Sequence, residues 1–297
     1  MQFAIEMTSV FKTYPDFSLD NLHLRLPHGQ VMGLVGANGA GKSTTLRLLM
    51  GVIKADSGVV EVLGNKLPQG QVAAKQNIGY ASEDIRLYKS ETLAWHMNFI
   101  KNIYPSWDDA YAKDLARKFD IKTEQKIKGF SHGQRVKACL LLILARRPQL
   151  VILDEPTTGL DPVARHEVLS ELADILRDEN RSVLFSSHNT QDVEQLSDTI
   201  TFLHKGKLLD SQDKEIYLDR WRRVVCTGHI DWGNAPESVT DIKHNGSLHE
   251  LTIDQFNDTV INQLSNMGLT VASIDRMTLE QIFLANVFSK KRNEVRS

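Results

Sequence analysis

The sequence predicts an α/β domain built on a mixed sheet, followed by a small C-terminal α+β domain. Three observations predict it. A short apolar strand, Gln30 to Val35, runs into a glycine-rich loop, Gly36 to Thr44, and a helix follows at once. Farther on, Leu150-Val151-Ile152-Leu153 is an unbroken apolar run that ends in Asp154-Glu155. A run without polar alternation is the pattern of a central parallel strand buried on both faces. Past residue 222 the texture changes to short strands around Asn245-Gly246, a hairpin turn signal.

The chain has 297 residues, enough for a large core and more than one domain. Its formal net charge is −2, so no overall basic field draws it to nucleic acid or acidic lipid. The longest apolar run, Ala138 to Ala145, is far too short to span a bilayer. Met1 to Met7 lacks the basic and apolar regions of a signal peptide. Two cysteines, Cys139 and Cys226, imply no disulfide framework and read as small core residues in apolar segments. A reducing cytoplasm is the compartment these features suggest.

Taken in order, Phe3 to Phe11 alternates as an edge strand, Pro15 breaks it, and Leu22 to Leu26 alternates again. Tyr14 lies in the turn between them, where an aromatic either stacks on a purine or packs on its own hairpin. The loop Gly36-Ala37-Asn38-Gly39-Ala40-Gly41-Lys42-Ser43-Thr44 fits the phosphate-loop pattern G-x-x-x-x-G-K-[ST]. Glycines let the backbone curl close around an anion, and the following helix turns free N–H groups and its positive dipole end toward it. In that pattern Lys42 reaches the β- and γ-phosphates and the Ser43 hydroxyl sits on Mg²⁺. The helix runs from Ser43 to Met50 and Gly51 closes it.

Asp56-Ser57-Gly58 reads as a turn before a strand, Val59 to Leu63, and Asn77 to Asp84 as a strand entering a polar loop. From Leu87 to about Phe130 the composition is helical, with a helix start at Ser106 and Asp109 and helical spacing of Tyr111, Leu115 and Phe119. Trp95, Met97, Phe99 and Ile103 are expected in the core of this insertion, the alternative being a face for a partner. Phe130-Ser131-His132-Gly133-Gln134 opens a helix rich in Leu and Ala. The carboxylates Asp154 and Glu155 fall at a strand's C-terminal end, where open α/β sheets bind ligands. Pro162 starts another helix, Ser182 to Ser186 is a buried strand leading to Ser187-His188, and a hairpin turns at Lys205-Gly206. Taken singly, Glu155 also suits a helix cap and His188 a plain surface or core position.

The C-terminal part contains the Asn245-Gly246 hairpin, a helix from Phe256 to Met267 stopped by Gly268, a strand from Leu269 to Ile274, and a last helix opened by the capping box Thr278-Leu279-Glu280-Gln281. It gathers no cluster of catalytic residue types. Lys290-Lys291-Arg292 reads as a solvated end, the alternative being a membrane-surface contact.

In this order, the motifs resemble those of the ATP-binding subunit of ATP-binding-cassette (ABC) transporters over roughly residues 3–220. The resemblance implies a P-loop NTPase fold: an ABC cassette over residues 1–222, with an antiparallel β subdomain and a helical subdomain at about 87–147, then an accessory α+β domain over residues 223–297. It makes Tyr14 the adenine-stacking aromatic, Gly36 to Thr44 the Walker A loop, and Ser131-His132-Gly133-Gln134 the signature motif. Glu83 falls where the Q-loop glutamine lies, Gly159-Leu160-Asp161 is the D-loop, and Asp154 and Glu155 are the Walker B pair. Ser43 and Asp154 then hold Mg²⁺, with Glu83 as a further ligand, Glu155 orients and deprotonates the attacking water, and the switch histidine His188 contacts the γ-phosphate.

Two departures stand out. The common signature reads Leu-Ser-Gly-Gly-Gln, and here Phe130 and His132 replace its leucine and first glycine. Glu83 replaces a glutamine and cannot donate an amide hydrogen bond. The resemblance further implies ATP and Mg²⁺ as ligands, two cassettes closing head to tail on two ATP molecules as a homodimer, and a separate transmembrane permease. The chain then sits at the cytoplasmic face of the cell membrane, without nucleic acid. The tail, with Leu279-Glu280-Gln281-Ile282-Phe283, resembles ABC-2-type exporter ATPases of bacterial drug, antibiotic or lipid efflux. A weakly active regulatory cassette of a heterodimer and a soluble ABC ATPase are the alternatives.

Overall fold

The computed structural model describes residues 2–82, 86–176, 181–229 and 235–296. The chain divides into two compact units, Met1–Asp210 and Ser211–Ser297. In the first, β1 (Phe3–Tyr14) and β2 (Phe17–Pro27) pair antiparallel. Their alternation buries Ile5, Met7, Leu22 and Leu24. Next, β3 (Val31–Val35), buried throughout, leads to α1 (Lys42–Leu49). β4 (Ser57–Val62) and β5 (Asn65–Lys66) complete a four-stranded sheet of order β2-β1-β4-β5. The expected turn at Asp56-Ser57-Gly58 is therefore partly strand, because Ser57 already pairs with Phe11 of β1.

After α2 (Gln71–Gln76) and β6 (Ile78–Ser82), the helical insertion holds α3 (Leu93–Ile103), α4 (Asp109–Lys118) and α5 (His132–Leu144). Then come β7 (Leu150–Asp154), α6 (Pro162–Leu176), β8 (Ser182–Ser187), α7 (Thr190–Leu196), β9 (Thr199–His204) and β10 (Lys207–Asp213). A six-stranded sheet has the order β10-β9-β3-β8-β7-β6, with β9, β3, β8, β7 and β6 parallel. Adjacent β3, β8 and β7 end side by side: Val35 lies opposite Ser187, and Asp154 opposite Ser186. This register sets the phosphate loop, His188 and the two carboxylates at one edge of the sheet.

The helical insertion corrects two expectations. The N-cap of α4 is Asp108, whose carboxylate accepts the Tyr111 N–H at 2.9 Å, and not Ser106. Trp95, Phe99 and Ile103 are not core residues; they are 39%, 47% and 52% exposed, and Met97 is half-buried. The buried side of α3 is instead Leu93 and His96. His96 tolerates burial because both ring nitrogens are satisfied: Nε2 accepts the Tyr88 N–H at 3.0 Å and Nδ1 donates to Thr92 O at 2.8 Å. The exposed rings pack on each other, Trp95 stacked on Phe99 with centroids 5.4 Å apart.

The second unit contains α8 (Lys214–Arg220), β11 (Arg222–Thr227), β12 (Val239–Asn245), β13 (Leu248–Ile253), α9 (Asp258–Asn266), β14 (Thr270–Arg276) and α10 (Leu279–Arg296). Its antiparallel sheet has the order β12-β13-β11-β14. Val260 and Leu264 of α9 pack on Val224, Cys226, Leu251 and Ile253 of that sheet. Thr278 and Gln281 form the capping box: Thr278 Oγ1 accepts the Gln281 N–H at 3.3 Å and Gln281 Oε1 accepts the Thr278 N–H at 3.1 Å. The units divide at 210/211 rather than at 222/223. α8 belongs to the second unit, since Phe256 N–H donates to Arg220 O at 2.8 Å and Asp219 pairs with Arg276 at 3.3 Å.

Candidate active site

The phosphate loop joins β3 to α1, and its last glycine, Gly41, caps the helix with φ +111°. A β-carbon there would stand 2.7 Å from Leu19 Cδ2 and 2.8 Å from Phe17 Cζ, so the dihedral calls for glycine and any side chain would also displace those two chain ends. Lys42 is buried to 5% exposure. Its ammonium donates to Gly36 O at 2.6 Å and lies 3.0 Å from Glu155 Oε1.

Glu155 follows β7 directly and adopts φ +52°, a left-handed conformation rare outside glycine. The strain turns the chain off the strand while its N–H stays tied to β8, 3.2 Å from Ser186 O and 3.0 Å from Ser186 Oγ. The Ser186 hydroxyl donates to Asp154 Oδ1 at 2.6 Å. On its other oxygen, Glu155 Oε2 accepts from Thr158 Oγ1 at 3.0 Å and from His188 Nδ1 at 2.7 Å. Burial pushes the Glu155 carboxyl up, but Lys42 and then His188 outweigh it and hold the group below its ordinary value. A carboxylate, an ammonium and an imidazole thus converge where three parallel strands end, beside a loop shaped for an anion.

The ABC transporter family profile matches residues 19–158. An uncharacterised ABC transporter ATP-binding protein of Bacillus subtilis (strain 168), YhaQ, is 33% identical over 293 residues, covering 95% of this chain and 96% of that protein. The chain belongs to the ABC transporter ATP-binding family. The bacitracin transport ATP-binding protein BcrA of Bacillus licheniformis is 27% identical over 271 residues, 90% of this chain and 87% of its own. The Nod factor export ATP-binding protein I of Sinorhizobium fredii (strain NBRC 101917 / NGR234) is 29% identical over 251 residues, 80% and 71% of the two chains. Among solved structures, an ATP-binding subunit of an ABC transporter superposes with a TM-score of 0.64 at 25% identity, covering 72% of this chain and 91% of that one. This ABC cassette is accordingly an ATP-hydrolysing subunit whose work is done through a membrane permease. None of the described helices is long and apolar enough to cross a membrane.

The remaining motif residues of the ABC cassette fall as follows. Ser131 caps α5 in a full capping box: Ser131 Oγ accepts the Gln134 N–H at 3.1 Å and Gln134 Oε1 accepts the Ser131 N–H at 2.9 Å. His132 and Gly133 form the first turn, with the His132 ring on Thr158 O at 3.0 Å. Asp161 caps α6 by accepting from Val163 N and Ala164 N, both at 3.0 Å. Tyr14 ends β1, 39% exposed, opposite Phe17, whose ring borders Gly41. Lys12 Nζ lies 5.6 Å from the Tyr14 ring centroid. Asn38 and Gly39 are exposed on the phosphate loop, Gly36 and Ala40 are buried, and Ser43 and Thr44 are half-buried. Glu83 lies outside the described residues. Burial pushes the Cys139 thiol up to about 11, which makes it an unreactive side chain.

Sequence reasoning missed three groups. Thr158 and Ser186 orient the two carboxylates, and neither belongs to a motif read from spacing. Buried Asp192 accepts Arg165 Nε and Nη2 at 2.8 and 2.6 Å and Thr157 Oγ1 at 2.6 Å. That network ties the turn after Glu155 and the start of α6 to α7. The signal was a lone acid four residues after His188, which one sequence does not distinguish from a solvated helix acid.

Proposed function

We propose that this chain is the motor subunit of an ABC-2-type exporter, of the kind the bacitracin and Nod factor relatives' names describe, working at the cytoplasmic face of the membrane. The observation that carries the catalytic part is the placement of Glu155 between Lys42 and His188. In this reading ATP draws Lys42 onto its β- and γ-phosphates, which frees Glu155 to orient and deprotonate the attacking water. His188 stays hydrogen-bonded to Glu155 through Nδ1 and keeps its other nitrogen for the γ-phosphate. Asn38 to Thr44 cradle the phosphates by backbone N–H groups, and Tyr14 stacks on the adenine.

The donor set suits magnesium. Ser43 lies in the first turn of α1, which packs on β7, the strand that ends in Asp154, and a hydroxyl and a carboxylate are the hard oxygen ligands that ion takes. When bound, the ion neutralises charge that develops on the phosphates. Ser131 to Gln134 would face the nucleotide of a second, identical chain, and Asp161 would stand at that interface.

The permease would dock on the helical subdomain. Tyr88, Trp95, Phe99 and Ile103 form an exposed apolar stripe there, a composition typical of interface anchors. The second unit supports dimerisation or regulation. The test is the solution mass of Glu155→Gln with Mg-ATP and with Mg-ADP, beside the turnover of the unaltered protein. Steady turnover by the unaltered protein, with a dimer of the variant in ATP only, is expected. An unaltered chain without turnover, or a variant that binds ATP and stays monomeric, would overturn the homodimeric motor.

A further inference from the structure

His132 stands where the family's usual signature has glycine, and its side chain is not idle. Its Nε2 lies 3.0 Å from the carbonyl oxygen of Thr158. A carbonyl only accepts, so Nε2 carries the proton and donates. The hydroxyl of the same Thr158 donates to Glu155 Oε2 at 3.0 Å. One residue therefore joins the first residue of α5 to the carboxylate at the end of β7.

The hold on Thr158 has several parts. Its N–H closes a turn onto Glu155 O at 3.2 Å. The next residue, Gly159, has φ +74°, and the His132 ring lies 3.4 Å from where a Gly159 β-carbon would stand. The peptide between Thr158 and Gly159 is thus hydrogen-bonded at its oxygen, and the ring borders the space beside Gly159 that a side chain would enter. A glycine at position 132 would reach none of these atoms.

We infer that His132 is a positioning residue for ATP hydrolysis, fixing the Glu155 carboxylate through Thr158. The inference rests on the proposed role of Glu155 as base. Its importance grows when nucleotide binds. Lys42 then turns from Glu155 Oε1 to the phosphates, and the donors left on the carboxylate are those on Oε2, from Thr158 and His188. Placement errors near 1 Å at a reacting group cost on the order of a hundredfold in rate. The capping box at Ser131 and Gln134 sets the start of α5, so the helix end proposed to face a partner's nucleotide also aims the base of its own chain.

The experiment measures kcat and KM for ATP in His132→Gly and His132→Gln, with thermal unfolding and ATP binding as controls. Glutamine is suited to rescue because its terminal N–H₂ reaches about as far as Nε2. The expected result is a roughly tenfold or larger loss of kcat in His132→Gly with KM within about twofold, restored in His132→Gln. A combined His132→Gly, Thr158→Val variant should be no slower than the slower single variant, since both break one chain of contacts. Should His132→Gly fail to fold, Thr158→Val against Thr158→Ser reads the same link from its other end, with serine keeping the rate and valine losing it.

A folded His132→Gly with unaltered kcat would overturn the inference, as would a folded His132→Gln as slow as the glycine variant. Thr158→Val with unaltered kcat would do the same. These outcomes presuppose turnover by the unaltered protein, whose absence would instead remove the motor reading itself.

Discussion

Lys42 Nζ lies 3.0 Å from Glu155 Oε1, so the buried cation of the phosphate loop and the carboxylate after the central strand neutralise each other. Both side chains are largely buried, at 5% and 15% exposure, where such a pair is least screened. The pairing makes stability depend on pH with a definite sign. The Glu155 carboxyl titrates below its ordinary 4.5 in the folded protein, so its contribution is complete above that pH and fades as the pH falls through the lowered value. Thermal unfolding of nucleotide-free protein should show Glu155→Gln melting about 2–4 °C lower at pH 7, with the gap narrowing as the pH falls below 4.5. A gap that stays constant with pH would show that the pair does not carry the difference.

Gly41→Ala should impair both fold and ligand binding. Its φ of +111° strains any residue with a β-carbon, and a methyl group would push aside the tips of Leu19 and Phe17. The expected loss is about 1–3 kcal/mol of stability, with at least a tenfold weaker affinity for ATP. Calorimetric unfolding and titration with a fluorescent ATP analogue measure the two effects.

Asp192→Ala should be costly although Asp192 touches no proposed ligand. It would strand the Arg165 guanidinium and the Thr157 hydroxyl, both now bonded to a carboxylate at 2% exposure. Removing one partner of such a pair costs about 2–4 kcal/mol, at the lower end because Arg165 is 28% exposed. Urea unfolding would report it as a lowered midpoint.

Trp95→Ser combined with Phe99→Ser should leave the ATPase rate of the isolated chain within about twofold and its stability nearly unchanged. Both rings are substantially exposed; they stack on each other, and Trp95 also meets the Tyr88 and His96 rings edge-on. Recovery of the permease with the tagged chain from membranes should fall at least tenfold. Undiminished recovery would move the docking surface elsewhere.

The phosphate loop and the Leu150 to Glu155 strand were legible because each is a local pattern whose residue types are dictated by one physical need, whereas His188 stood out only through the order of motifs that the family resemblance supplied. What three parallel strands then do with them was not. Ser186 meets Asp154, and Thr158 meets Glu155, through sheet register and one strained dihedral, which no spacing announces. α3 was misread for a different reason. Apolar residues at helical spacing look alike whether the stripe is buried or exposed, and here a histidine with both nitrogens satisfied takes the inner position. β11 was passed over because it straddles the expected boundary at 222, yet the strand lies in the interior of the second unit's sheet.

The capping box at the start of α5 has a chemical polarity of its own. Ser131 and Gln134 engage one another through acceptor oxygens, each taking a backbone N–H. One lone pair on each oxygen is thereby used, while the serine hydroxyl proton and the glutamine carboxamide hydrogens stay available. Together with the backbone N–H groups that the first turn of any helix leaves unpaired, these hydrogens tip the helix end toward donation. An anion gains more there than a cation does. The pattern Ser-x-x-Gln thus biases the charge a helix end welcomes, and the bias is set within the chain before any ligand arrives.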